Sequence, residues 1–178
     1  KITKYREVKS KDGEQYQLVF NLTPFYPEGG GQVGDTGFIK SESDNIRVVD
    51  TKKENKLIIH FTNKLPIDLS ADFIAHVDVE SRLFSSRNHT ATHLLHESLR
   101  AILGDHVAQK GSLVNANYLR FDFSHFSKLN PQDIELIEQK VNKQIREANS
   151  LIEERNIPME MAKQKGAIML FGEKYGDS

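Results

Sequence analysis

The side chains best suited to chemistry are His89 and His93, inside the run Arg87-Asn88-His89-Thr90-Ala91-Thr92-His93-Leu94-Leu95. Four residues apart on a helix, two imidazoles project from one face a turn apart. That spacing lets two ring nitrogens reach one metal ion at about 2.0–2.1 Å. The same spacing also suits two ordinary helix histidines, one half-buried and one solvated. A zinc site takes three or four ligands, so the pair alone does not make one. It is not the metalloprotease pattern, because Thr90 rather than Glu follows the first His. His96 lies on the same side and is open as a substitute ligand, as a surface group or as a group packed behind the ligands. Thr90 and Thr92 flank the pair; Thr92 either contacts a substrate hydroxyl or bonds back to its own helix.

Two further stretches could serve such a site. Phe25 to Gly37 reads FYPEGGGQVGDTG, with glycine at 29, 30, 31, 34 and 37. Its backbone can take positive φ and approach a ligand closely, or it can form an irregular hairpin at the rim of a barrel. The Gly-Lys-Ser/Thr ending of a phosphate loop is missing. Gln109-Lys110-Gly111-Ser112-Leu113 joins the histidine helix to the next strand. A Gln with backbone amides there can grip a carbonyl or an oxyanion, and Lys110 can pair with a phosphate. A plain polar connection fits the same residues.

These groups need a scaffold. Gln15 to Phe20, Ile46 to Thr51, Leu57 to Phe61 and Asp72 to Val79 are rich in Val, Ile and Phe and predict strands. In the last, Phe73, Ala75, Val77 and Val79 share one face, and Ile74, His76 and Asp78 the other. Turn signals at Lys11-Asp12-Gly13, Ser43-Asp44-Asn45 and Glu54-Asn55 separate them as in a small barrel. Beyond Asp78 the period becomes helical through Leu83, Ala91, Leu94, Leu95, Leu99, Ile102 and Leu103, with Gly104 as the stop. Asn117 to Phe123 alternates again, with Leu119, Phe121 and Phe123 on one side. Asn130 caps a second helix that has Pro131 in its first turn and an apolar stripe of Ile134, Ile137, Val141, Ile145 and Ala148. Pro158 opens a short helix that runs to about Lys165 and ends at Gly166. The expected fold class is α+β, with a barrel-like β-rich subdomain over 1–80 and an α+β subdomain over 81–178.

The 178 residues are 38% hydrophobic and carry no Cys, so no disulfide staples the chain and an intracellular setting is the default. No apolar run is long enough to span a bilayer. The net charge is −1, balanced in both halves, so there is no basic tail or domain. A nucleic-acid ligand would need a local cluster of Lys and Arg instead. The start at Lys1, with mid-protein character through Tyr16, leads us to expect a piece of a longer protein.

FYPEGGGQVGDTG, NHTATHLL (88–95), QKGSLV (109–114), LRFDFSH (119–125) and GAIMLFGEKY (166–175) resemble, in order and spacing, the editing region of the bacterial-type alanyl-tRNA synthetase family. The resemblance runs over nearly the whole chain and implies an editing subdomain of the kind shared by threonyl- and alanyl-tRNA synthetases. The threonyl family is not expected to carry the Phe-Tyr-Pro-Glu-Gly-Gly-Gly-Gln stretch. The family joins alanine to tRNA-Ala with ATP and Mg at a site outside this region. Its editing region hydrolyses Ser-tRNA-Ala and Gly-tRNA-Ala, which a binding pocket alone cannot exclude.

By resemblance, His89 and His93 are two of four zinc ligands, and Gln109 lines the pocket and influences which amino acid is cleaved. Gly29, Gly30, Gly31 and Gln32, with Lys110 and Gly111, bind substrate, and Thr92 is a catalytic candidate. Arg82, Arg87 and Lys174 are candidates to hold the tRNA. The other two zinc ligands belong to a Cys-x-x-x-His motif that this chain, without Cys, does not contain. An incomplete zinc site and an inactive fragment are therefore expected. A cytoplasmic location and no membrane or DNA partner follow from the same resemblance; the oligomeric state does not. The rival expectations are a free-standing trans-editing protein and a non-catalytic tRNA-binding module.

Overall fold

A computed structural model describes residues 1–10 and 13–166. The expected turn at Lys11-Asp12 lies outside these residues, as does nearly all of GAIMLFGEKY, including Lys174. The chain forms two compact units: Lys1–Thr92 with Ser112–Arg120, and His93–Gly111 with the chain from Phe121 onward.

The first unit is built on six antiparallel strands: β1 (Ile2–Ser10), β2 (Gly13–Phe20), β3 (Gly37–Lys40), β4 (Asn45–Glu54), β5 (Leu57–Thr62) and β6 (Ile74–Val77). They pair in the order β1-β2-β5-β4-β3-β6. The expected barrel is not closed, since β1 and β6 do not pair among the described residues. β1 was not anticipated as a strand, and Lys4, Arg6, Glu7 and Lys9 give it the charged character of an edge that faces water. β3 was also missed, because only four residues carry its pattern. β4 and β5 are joined by Asn55 and Lys56 with φ of 47° and 67°, the left-handed pair of a two-residue hairpin turn.

Alternation sorts this sheet's residues. Leu18, Phe25, Ile39, Ile46 and Val48 are buried together, with Phe20, Phe73, Ala75 and Val77 packed against them. The expected face of β6 holds through Val77 but not at Val79, which begins the helix and is 73% exposed. Among the buried polar side chains is His60: its Nδ1 donates to Leu18 O (3.1 Å), its Nε2 lies 2.7 Å from Thr23 Oγ1, and Phe20 and Phe25 stand edge-on to its ring. Burial pushes its pKa down to about 4, so the ring is neutral.

α1 (Val79–Leu103) begins in the first unit and ends in the second. Gly104, at φ 113°, donates to Arg100 O and stops it as expected. In the second unit Leu99, Val107 and Ile137 are buried, with Leu95, Ile102, Phe121, Phe123 and Val141 around them. β7 (Gln109–Val114) and β8 (Leu119–Phe123) form a separate two-stranded sheet. The residues expected as a connecting loop at 109–113 are therefore all strand. Strand pairing there is close enough that a Cβ on Gly111 would fall 2.7 Å from Asp122 Oδ2. α2 (Pro131–Glu147) starts as predicted, with Asn130 Oδ1 accepting from the Asp133 amide at 2.8 Å. Its stripe is only partly covered: Ile137 is buried, but Ile134 and Ile145 are about half exposed. α3 (Met159–Gln164) is the short helix after Pro158.

Candidate functional site

The glycine-rich segment folds into a tight turn held at both ends. Gly29 and Gln32 exchange backbone hydrogen bonds of 3.0 and 3.1 Å, with Gly30 and Gly31 at the tip. Gly31 has φ 82°, and a Cβ there would lie 2.8 Å from Ser112 Cβ, so only glycine fits. Gly34 admits no side chain either, because its Cβ would sit 1.9 Å from Thr51 O. The loop is also annealed to the end of β7: Val114 N–H donates to Gly31 O, and Val33 N–H donates to Val114 O.

Asp35 closes the loop at its base. Its Oδ2 accepts from the Tyr26 amide at 2.6 Å and from Arg82 Nε at 2.9 Å, and Arg82 Nη2 forms a second, shorter bond to the same oxygen. Arg82 Nη2 also donates to Pro24 O at 2.6 Å. Its carboxylate is 5% exposed, so the pair is a strut from the loop to α1 rather than a surface ion pair. Sequence reasoning placed Arg82 among cations for the tRNA and missed this partner. The signal lay in GQVGDTG, where a carboxylate among glycines has few side chains to shield it.

A cleft of about 500 Å³ opens on this strut, lined by Tyr26, Pro27, Gln32, Arg82, Ser86 and His89 among others. Gln32 is 8% exposed, and its Oε1 lies 2.9 Å from His89 Nδ1. Asn88, beside that histidine, donates from Nδ2 to Asn115 O at 2.8 Å. Of the anticipated residues, Gly29, Gly30, Gly31, Gln32, Arg82 and His89 thus come together within the first unit.

The others are placed as follows. His89 is half-buried and His93 exposed. His96 is not a surface group: it is 6% exposed against Phe121, and burial lowers its pKa. Thr92 is buried and donates to Asn88 O at 2.8 Å, the bond back to its own helix. Arg87 is exposed, with its guanidinium 5.6 Å from the Phe84 ring centroid. Gln109, Lys110 and Gly111 begin β7 within the second unit. Among the described residues no three His, Asp or Glu side chains gather as a metal site. The two histidines alone do not make a zinc site.

Residues 2–82 match the family described as tRNA synthetases class II (A). The whole chain is 58% identical to alanine–tRNA ligase of Christiangramia forsetii, covering 21% of that protein. It is 54% identical to the enzyme of Flavobacterium psychrophilum over its whole length, and 55% identical to that of Cytophaga hutchinsonii over 99% of it. The chain belongs to the alanyl-tRNA synthetase family and spans about a fifth of the length of these relatives.

Proposed function

We propose that this chain is the editing region of an alanyl-tRNA synthetase and hydrolyses the ester of Ser-tRNA-Ala and Gly-tRNA-Ala. The observation that carries the reading is the hydrogen bond from His89 Nδ1 to Gln32 Oε1 beside the cleft. It joins two motifs that resemble the family's editing motifs but lie 57 residues apart in sequence. The protein carrying this chain would attach alanine to tRNA-Ala using ATP and Mg at a site elsewhere in its length, and would work in the cytoplasm.

Hydrolysis of an aminoacyl ester needs a held carbonyl, a placed water and exclusion of other acceptors. The glycine turn gives close backbone approach at Gly30 and Gly31. Proline and aromatic side chains form the apolar part of the cleft wall, while Gln32, Ser86 and His89 supply polar groups. His89 and His93 would be two ligands of a zinc whose remaining ligands are not among the described residues. When bound, that ion would supply a Lewis acid or a positively charged anchor for the substrate. Gln109 would orient the ester carbonyl and grade the amino acids, with Lys110, Arg87 and Lys174 near the tRNA.

The experiment is deacylation of seryl, glycyl and alanyl esters of tRNA-Ala by the longer protein that contains this chain. Replacing Gln109 by Ala is expected to change the order of the three rates. An unchanged order would remove Gln109 from the pocket.

A further inference from the structure

We infer that Gln32 is a positioning residue that fixes the ring tautomer and orientation of His89. The inference rests on the reading of His89 as a site residue. A carbonyl oxygen 2.9 Å from Nδ1 accepts a hydrogen bond, so in the neutral ring Nδ1 carries the hydrogen and Nε2 the lone pair. An imidazole so held presents Nε2 as its basic nitrogen, and the partner on the other nitrogen sets how the ring is turned.

Gln32 can do this because its backbone has little freedom. It is bonded across the turn to Gly29 in both directions and lies in a parallel bridge with Val114. The next residue is bonded to Val114, and the one before it accepts from Val114. The Asp35–Arg82 strut ties the same loop to α1 seven residues before His89. Gly30 completes the fit. A Cβ there would stand 3.5 Å from His89 Cε1 and 3.9 Å from Nε2, so the loop covers that ring edge without a side chain. The orienting amide and the ring's neighbour thus come from one turn, which accounts for Gln following the three glycines.

The test is ring-¹⁵N NMR of histidine in the 178-residue chain at about pH 9, well above the ordinary imidazole range. Wild-type His89 is expected as the Nδ1–H tautomer. Gln32→Leu, which removes the acceptor, should move it to mainly Nε2–H, and Gln32→Glu, which keeps an oxygen there, should restore Nδ1–H. Wild-type His89 in the Nε2–H form, or an Nδ1–H form that survives in Gln32→Leu, would overturn the inference. The wild-type spectrum decides even if a variant does not fold. None of these readings depends on deacylation. Loss of the tautomer with editing intact sinks the positioning role alone; an Nδ1–H ring in a protein without editing activity sinks the function alone.

Discussion

The two units hold themselves together by different means. In the first, buried polar groups bond to backbone at the points where loops meet the sheet. Asp35 takes the Tyr26 amide, His60 links Leu18 to Thr23, Asp44 takes the Ile67 amide and Thr51 Oγ1 donates to Asp35 O. In the second, the buried core is a small apolar cluster around Leu99, Val107 and Ile137, and much of the α2 stripe stays exposed. A loop that must present atoms at fixed positions needs directional bonds, because apolar contact alone fixes volume and not orientation. The directional unit is the one that contains the cleft.

The largest effect on this contrast should come from Gly34→Ala. A methyl group would collide with Thr51 O, and a loss of more than about 3 kcal/mol is expected in denaturant unfolding. A variant as stable as wild type would mean the loop gives way easily. Next is His60. Its folded pKa of about 4 lies below the ordinary value of 6.5, so protons bind the unfolded chain first. Stability is complete above about pH 6.5 and should fall by about 3 kcal/mol as the pH drops toward 4. In His60→Gln this part of the pH dependence should vanish, while stability at neutral pH also falls. A wild-type stability curve that is flat over that range would show His60 titrating normally. The smallest effect belongs to the second unit: Asn130→Ala should cost about 1 kcal/mol through loss of the α2 cap, seen as a lower midpoint. A loss as large as at Gly34 would erase the contrast.

What the sequence showed follows the same division. Local rules reached the α2 cap, the Gly104 stop, the turn at Asn55 and the alternation of β8, because each depends on neighbours along the chain. They missed β1, whose charged residues hide an edge strand, and they took a strand at 109–113 for a connection. The glycine turn and His89 were both visible, but their meeting was not. That contact depends on Asp35 reaching Arg82 across 47 residues and on Gly31 passing Ser112, and no periodicity records either. The open sheet was likewise invisible, since strand spacing is the same in a sheet and a barrel.

The most direct measurement is the rate of Ser-tRNA-Ala deacylation by the longer protein that contains this chain, compared with its His89→Ala variant. The account predicts a fall on the order of a hundredfold with aminoacylation unchanged. A variant that deacylates at the wild-type rate would contradict it.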